Sequence, residues 1–548
     1  MNQESWHAVT PQYSQYDTQI QRFNELEQVD FFDIQPRLKQ SLKTLSAIHG
    51  FSRLLVINSA DNAFYRNLIK DGLKKFIGQK LISTTESLNI STLLGSYVCN
   101  DVGDIVTLND GLLEQTNGGY LVIPATLLLA NPASWQTLKS VLLGQEVSPI
   151  NANPHKIATN PPVNTFDIKI VLVGDRHQIA DFEYLEPELY TGLAMFTEIE
   201  DEFSLSSNSI EQYLGFLSWI VKKYNLPTLS FGALHRLMNA GARYTEDQNY
   251  MPIEVLWYLS LFQEALLTSN NKVLCEQDLE QALEAKYQRE AYLPERALAD
   301  ITDGQVIIET QGECIGQVNG LTVIDVPGHP MSYGEPARIS CVIHFGDGDI
   351  SDVERKAELG GNLHAKGMMI MQAFVSSALQ LDEPLPYSAS VVFEQSYSEV
   401  DGDSATLAEL CSFVSALSEY PINQQIAVTG AVDQFGRVQA VGGLNEKIEG
   451  FYHVCKHQGL TGDQGVILPK SNLKHLSLNK DVVDSIKNNE FHIWSVSTVD
   501  EAIPLIMGKP FRGEDEESVI SKIAQRIENF ERHEHPQGIV ERIKNWFV

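Results

Sequence analysis

Val391-Val392-Phe393-Glu394-Gln395-Ser396-Tyr397-Ser398-Glu399-Val400-Asp401-Gly402-Asp403-Ser404 passes from a strand into a loop, and the residues after it enter a helix. Leu407, Leu410, Cys411, Val414 and Leu417 recur at helical spacing, which predicts one apolar face and a buried helix. Ser404 therefore stands at the N-terminus of that helix. Gly402 relieves the backbone where the turn is tight. The free amides and dipole of a helix start can stabilise an oxyanion. By itself the segment reads as a helix cap, since Asp and Ser are common capping residues. Ser396 and Ser398 offer other hydroxyls on the same loop, but neither begins the helix.

Downstream, Ala427–Val432, the turn Asp433–Gly436 and Arg437–Val441 read as strand, turn and strand. They lead into Gly442-Gly443-Leu444-Asn445-Glu446-Lys447 at the start of another helix. A lysine there is ordinarily solvated. Beside Ser404 in a partly desolvated pocket it would be neutral at working pH, because burial disfavours the ammonium. A neutral amine can accept the proton of a serine hydroxyl, which is the Ser-Lys form of nucleophilic catalysis.

The rest of the 548 residues divides by pattern. Residues 1–35 are polar and aromatic with little periodicity and read as an N-terminal arm or a loose lead-in. Residues 36–205 alternate helices and strands, with strands at Arg53–Asn58, Tyr120–Ile123 and Asp167–Val173, which implies a mostly parallel α/β sheet. Residues 206–300 read as a small helical domain, with helices at Ile210–Lys223, Gly232–Tyr244, Pro252–Ser269 and Glu276–Ala291. Strands return over 301–508, where Asp303-Gly304, Asn319-Gly320, Gly346-Asp347-Gly348 and Asp433–Gly436 read as hairpin turns, with long helices at Val353–Gln380 and Ala405–Glu419. Met368, Met369 and Met371 read as core, and His364 as helix-start packing rather than a metal ligand. The tail 509–548 is partly amphipathic through Val519, Ile520, Ile523 and Ile527, and reads either as a terminal helix or as a partner-binding segment.

An α/β block followed by a helical lid calls for a phosphate loop, and G-x-x-x-x-G-K-[ST] occurs nowhere. The first core strand turns through Asn58-Ser59-Ala60-Asp61-Asn62-Ala63, with no glycine to wrap a phosphate and no lysine to reach it. The strand Tyr120–Ile123 runs into Pro124-Ala125, where an acidic pair for Mg²⁺ would be needed. ATP hydrolysis is not expected of this block.

The chain carries 40 Lys+Arg against 71 Asp+Glu, a net charge of −31. That argues against nucleic acid or an anionic membrane surface as the main partner, since both select a positive footprint. No apolar run approaches the roughly 18 residues of a membrane span, and the first residues lack the basic and apolar regions of a signal peptide. Six scattered cysteines, without C-x-x-C, predict reduced thiols and a cytoplasmic setting, with no metal site.

Residues from about 305 to 507 resemble the proteolytic domain of the Lon protease family (peptidase family S16). The matching pieces are Gly316–Leu321, Gly334–Ile339, Gly360–Gly367, Glu399–Ala405, Ala427–Gly430, Gly442–Lys447 and Gly465–Pro469, in that order. Gly-Asp-Ser before the helix is more like the LonB-type branch. The resemblance implies an α/β and α+β multidomain chain: a degenerate AAA+-like α/β domain (36–205), a helical lid domain (206–300) and a Lon-type α+β proteolytic domain (301–508). It implies a serine endopeptidase acting on unfolded or damaged proteins, with Ser404 as nucleophile and Lys447 as general base. Thr429 would help orient the amine, and Asp403 would tune it. It also implies a homo-oligomer, a hexameric ring. The missing phosphate loop and acidic pair depart from the family, so no cofactor, ATP and Mg included, is expected. Two alternatives stay open: an ATP-dependent protease with a non-standard nucleotide site, and a pseudoprotease serving as scaffold or adaptor.

Overall fold

The computed structural model describes residues 2–50, 52–269, 273–346, 348–379, 385–396, 400–513 and 517–534. The chain forms two compact units, one of Phe23–Phe203 with Ser209–Tyr224, the other of Met1–Arg22, Ser204–Asn208 and Asn225–Val548.

The first unit is built on a parallel sheet of β1 (Leu54–Asn58), β2 (Ile82–Thr84), β3 (Tyr120–Pro124), β4 (Lys169–Gly174) and β5 (Ala194–Glu198), in the spatial order β2-β3-β4-β1-β5. β1, β3 and β4 are near-continuous apolar runs because both faces of a parallel sheet are covered. Leu54, Val56, Leu121, Ile123, Ile170 and Leu172 form one core with Trp135, Leu138, Ile179 and Phe182. Helix α1 (Ala63–Ile77) follows β1, and α2 (Arg176–Leu185) follows β4 behind a capping box of Asp175 and Gln178.

In the second unit four helices, α3 (Phe231–Thr245), α4 (Val255–Thr268), α5 (Glu276–Glu290) and α6 (Tyr292–Thr302), precede a seven-stranded mixed sheet. Its strands are β6 (Gln317–Ile324), β7 (Tyr333–Phe345), β8 (Ile350–Asp352), β9 (Tyr387–Phe393), β10 (Ile426–Val428), β11 (Gly465–Pro469) and β12 (His492–Val496), in the order β8-β9-β7-β6-β10-β11-β12. Helices α7 (Val353–Lys356), α8 (Asn362–Ala378), α9 (Thr406–Ser418) and α10 (Leu444–Gln458) are threaded between them, and α11 (Val519–Glu534) comes last. α9 is buried along its whole length in a core with Phe374, Val391, Val428 and Ile467, whereas α10 belongs to a second core with Leu321, Val466, Phe451 and Ile493. Val519, Ile523 and Ile527 of α11 are buried in the core of α9, which packs the amphipathic tail into the fold as far as Ile527. Among the described residues, no helix is long and apolar enough to cross a membrane.

Several sequence expectations are corrected. The N-terminal arm is not loose: Val9 packs with Leu321, Leu478 N donates to Val9 O at 3.1 Å, and Glu4 N donates to Ile493 O at 2.8 Å beside β12. Of the four expected turns, Asp433–Gly436 closes a hairpin, between Ala431–Val432 and Val438–Gln439. Asn319-Gly320 lies inside β6, Asp303-Gly304 ends α6, and the strands flanking Gly346 and Gly348 both pair with β9 rather than with each other. The expected single helix over Val353–Gln380 is two: the first ends at Lys356, Glu358 turns left-handed at φ +61°, and the next starts at Asn362, while Gln380 lies outside the described residues. Met368 and Met371 are core, but Met369 points outward at 66% exposure, as the helical period requires.

Candidate active site

Gly402 has φ +123°, a conformation open to glycine and costly for other residues, so the loop can swing Ser404 onto the start of α9. No side chain caps α9, so the capping reading of Asp403 and Ser404 is not realised. The serine's carbonyl oxygen instead accepts Gly430 N at 2.8 Å and Thr429 Oγ1 at 3.2 Å, while Leu407 N donates to Gly430 O at 3.0 Å. The strand end after β10 thus locks the backbone of Ser404 in place. Thr429 braces the serine in this way; the bond it makes is to that carbonyl, not the expected one to the amine.

Gly443 precedes α10 with φ +64°, a left-handed conformation that favours glycine, and Lys447 N bonds back to Gly443 O at 3.0 Å. Lys447 is 2% exposed, and its Nζ donates to Ser404 Oγ at 3.0 Å. Burial pushes its pKa down to about 8, while the charge of exposed Asp403 opposes the shift. The structure therefore brings Ser404, Lys447 and Thr429 together, with Asp403 near enough to act through its field.

The lysine helix is fixed from two directions. Arg243 of α3 donates to Glu446 Oε1 at 3.0 Å and to Glu449 Oε2 at 2.9 Å, and Asn479 Nδ2 also donates to Glu449 Oε2, at 2.9 Å. On the other side Gly334 of β7 lies so close that a Cβ there would stand 2.1 Å from Glu446 O and 2.5 Å from Lys447 N. Backbone cannot yield to that contact by a rotamer change. Gly334→Ala is expected to destabilise the protein by about 1–3 kcal/mol, the usual range for overpacking. Equilibrium urea denaturation measures it, and an unchanged midpoint would show that β7 and α10 part without cost.

Ser396 lies in the turn closing β9, and Ser398 lies outside the described residues. Around the missing phosphate loop, Asn62 Oδ1 accepts Tyr65 N at 3.0 Å and so occupies the first turn of α1. Asp61, paired with Arg66 and accepting Thr126 Oγ1 at 3.0 Å, puts a carboxylate beside the helix start that phosphate-binding chains leave open.

One cluster escaped the sequence reading. His364 is buried between Asp352 and Glu409. The available signal was Glu409 itself, an acid in a helix whose other positions are nearly all apolar or small.

The family model described as "LonB-like, AAA domain" matches residues 71–197, and that of the "Lon protease (S16) C-terminal proteolytic domain" matches residues 395–509. The chain is 38% identical to the "Putative Lon protease homolog" of Escherichia coli (strain K12), over 99% of both chains. It is 36% identical to the protein of that name from Haemophilus influenzae, over 96% of this chain and 93% of the other. A shorter match, 39% over 22% of this chain and 16% of the other, joins it to the "Archaeal Lon protease" of Methanocaldococcus jannaschii.

Proposed function

The chain belongs to the Lon protease family, and from that premise we propose that it is a serine endopeptidase in which Ser404 and Lys447 form the catalytic dyad. The observation that carries this reading is the 3.0 Å contact between a buried lysine amine and the serine hydroxyl. Ser404 Oγ attacks the peptide carbonyl carbon as its proton passes to neutral Lys447 Nζ. Amides at the start of α9 receive the oxyanion. Collapse breaks the C–N bond, Lys447 returns the proton to the leaving amine, and an acyl-enzyme remains on Ser404. Water then attacks the ester, giving its proton to Lys447, and the acid product and free serine are restored.

Unfolded or damaged proteins are the proposed substrates, in a hexameric ring within the cytoplasm. ATP plays no part in this reading, because the α1 start is capped by Asn62 and faced by Asp61. The domain bounds of the sequence reading are proposed with it: an AAA+-like block over 36–205, a lid over 206–300 and the peptidase over 301–508.

The test is cleavage of casein and a fluorogenic peptide by the purified protein, with and without ATP and Mg²⁺, after treatment with a fluorophosphonate probe. Cleavage lost in proportion to label on Ser404, at a rate indifferent to nucleotide, is the expected result. ATP turnover coupled to cleavage would favour the non-standard nucleotide site. An unlabelled, inactive but well-folded protein would favour a scaffold.

A further inference from the structure

Behind the nucleophile lies a buried charge cluster that the reaction above does not use. His364 is 2% exposed, with Nε2 3.1 Å from Asp352 Oδ2 and Nδ1 3.4 Å from Glu409 Oε1. Glu354 is also buried, accepts Phe393 N at 3.0 Å, and faces the same imidazole. Asp352 at the end of β8, Glu354 in α7 and Glu409 in α9 are the charged groups acting on the ring. One cation cannot keep three buried carboxylates ionised. Burial pushes Glu409 up to about 7 and raises Glu354, whereas Asp352 stays below the usual range because its burial is outweighed by the proximity and charge of His364 together with the backbone amides of Arg355 and Glu354. His364 is raised despite its burial, by Asp352 and then Glu409.

The cluster grips the nucleophile segment from both sides. Glu409 lies on α9, about one and a half turns beyond Ser404. His364 lies in the first turn of α8, whose lead-in holds the loop before the serine. Gly361 N donates to Val400 O at 2.9 Å, Val400 N donates to Leu359 O at 2.8 Å, and Leu363 N donates to Asp401 Oδ1 at 3.2 Å. One turn later a Cβ on Gly367 would stand 2.7 Å from Thr406 Oγ1 and 3.3 Å from Asp403 Cβ. Any shift of α8 against α9 is therefore felt at Asp401, Asp403 and Ser404.

We propose that the His364–Glu409 ion pair is a proton-operated latch on the nucleophile segment. Ionised, it holds the start of α9 against α8. When Glu409 takes a proton the pair is lost, and Ser404 loses its register with Lys447. His364 and Glu409 are positioning residues here, and the proposal rests on the Ser404–Lys447 reading. Its consequence is a sharper shut-off in acid than the base alone imposes. Protonation of Lys447 below about pH 8 gives a slope of one in log kcat/KM against pH. Protonation of Glu409 below about 7 adds a second proton, and the slope steepens toward two.

The experiment is the profile of kcat/KM for a small fluorogenic peptide from about pH 5.5 to 9.5, for the wild type, Glu409→Gln and His364→Gln. The wild type is expected to fall about tenfold further at pH 6 than a one-proton line allows. Glu409→Gln has a lower plateau and a single slope throughout, and His364→Gln likewise lacks the second break near 7. A merely structural role would lower the plateau and leave the two-proton limb in place. That limb persisting in Glu409→Gln overturns the proposal, as does a single slope in the wild type. Should Glu409→Gln not fold, the wild-type profile alone decides between these. A missing first break near pH 8 signals failure of the dyad reading instead. Thermal melting reads the titration without catalysis. Glu409 has a raised pKa in the fold, so its contribution is complete in acid and lost as pH rises through about 7. The stability of the wild type relative to Glu409→Gln should fall between about pH 4.5 and 7, and a constant difference there overturns the latch.

Discussion

Ser404→Ala is expected to abolish peptide hydrolysis while leaving the protein folded. Removing a catalytic serine costs about 10⁶ in kcat where nucleophile and base act as a unit, and a residual rate of about 10³–10⁴ over water survives from oxyanion stabilisation and binding. A loss of at least about 10⁴-fold is therefore the figure to test. The fold should tolerate the change. The contacts that fix this position run through its backbone carbonyl, to Gly430 N and Thr429 Oγ1, and alanine keeps that carbonyl. The side chain makes one bond, to Lys447, at a half-buried site. Stability should move by no more than about 1 kcal/mol. Casein cleavage and a melting curve on the same preparation measure both halves. Cleavage at wild-type rate would sink the dyad, and an unfolded variant would show that the lysine contact carries the loop.

Local spacing puts Ser404 and Lys447 at two helix starts but reads them as a cap and a solvated lysine; the order of the Lon-like motifs is what pairs them as candidates. The long strands of the first unit were legible from local pattern alone, since a strand buried on both faces is apolar throughout. What failed was turn chemistry overruled by distant partners. Asn319-Gly320 reads as a hairpin turn, yet Asn319 Nδ2 donates to Glu309 O and Gln424 O, both at 2.8 Å, and a Cβ on Gly320 would meet Ile339 Cδ1 at 2.5 Å. The pair is used to let a neighbouring strand approach, which no local window reveals. The same limit hid the partners of His364, which come from a strand end before it and a helix far after it. The arm reads as loose because Val9 and Tyr13 find their burial against later parts of the chain, without a period of their own.

Lys447→Met should inactivate the enzyme and stabilise it at the same time. As base, the amine must be neutral, so kcat/KM of the wild type should rise about tenfold per pH unit where one proton governs it and level off above about pH 8. Methionine fills much the same space but takes no proton, and a loss of at least about 10³-fold is expected. Lys447→Arg should fare no better, because a guanidinium stays protonated. The stability effect follows from the sign of the shift. The folded-state pKa lies below that of the unfolded chain, so the lysine's contribution is favourable above the unfolded value and is lost as pH falls through about 8. Near pH 7 the fold therefore carries a buried ammonium at a cost of order 3 kcal/mol, which the apolar variant escapes. Urea denaturation at about pH 7 should show Lys447→Met more stable than the wild type by about 1–3 kcal/mol, and the gap should close near pH 10.5. A variant less stable than the wild type at both pH values would mean that the amine is solvated in the folded protein. The depressed pKa, and with it the lysine's fitness as a base at neutral pH, would then have no physical cause.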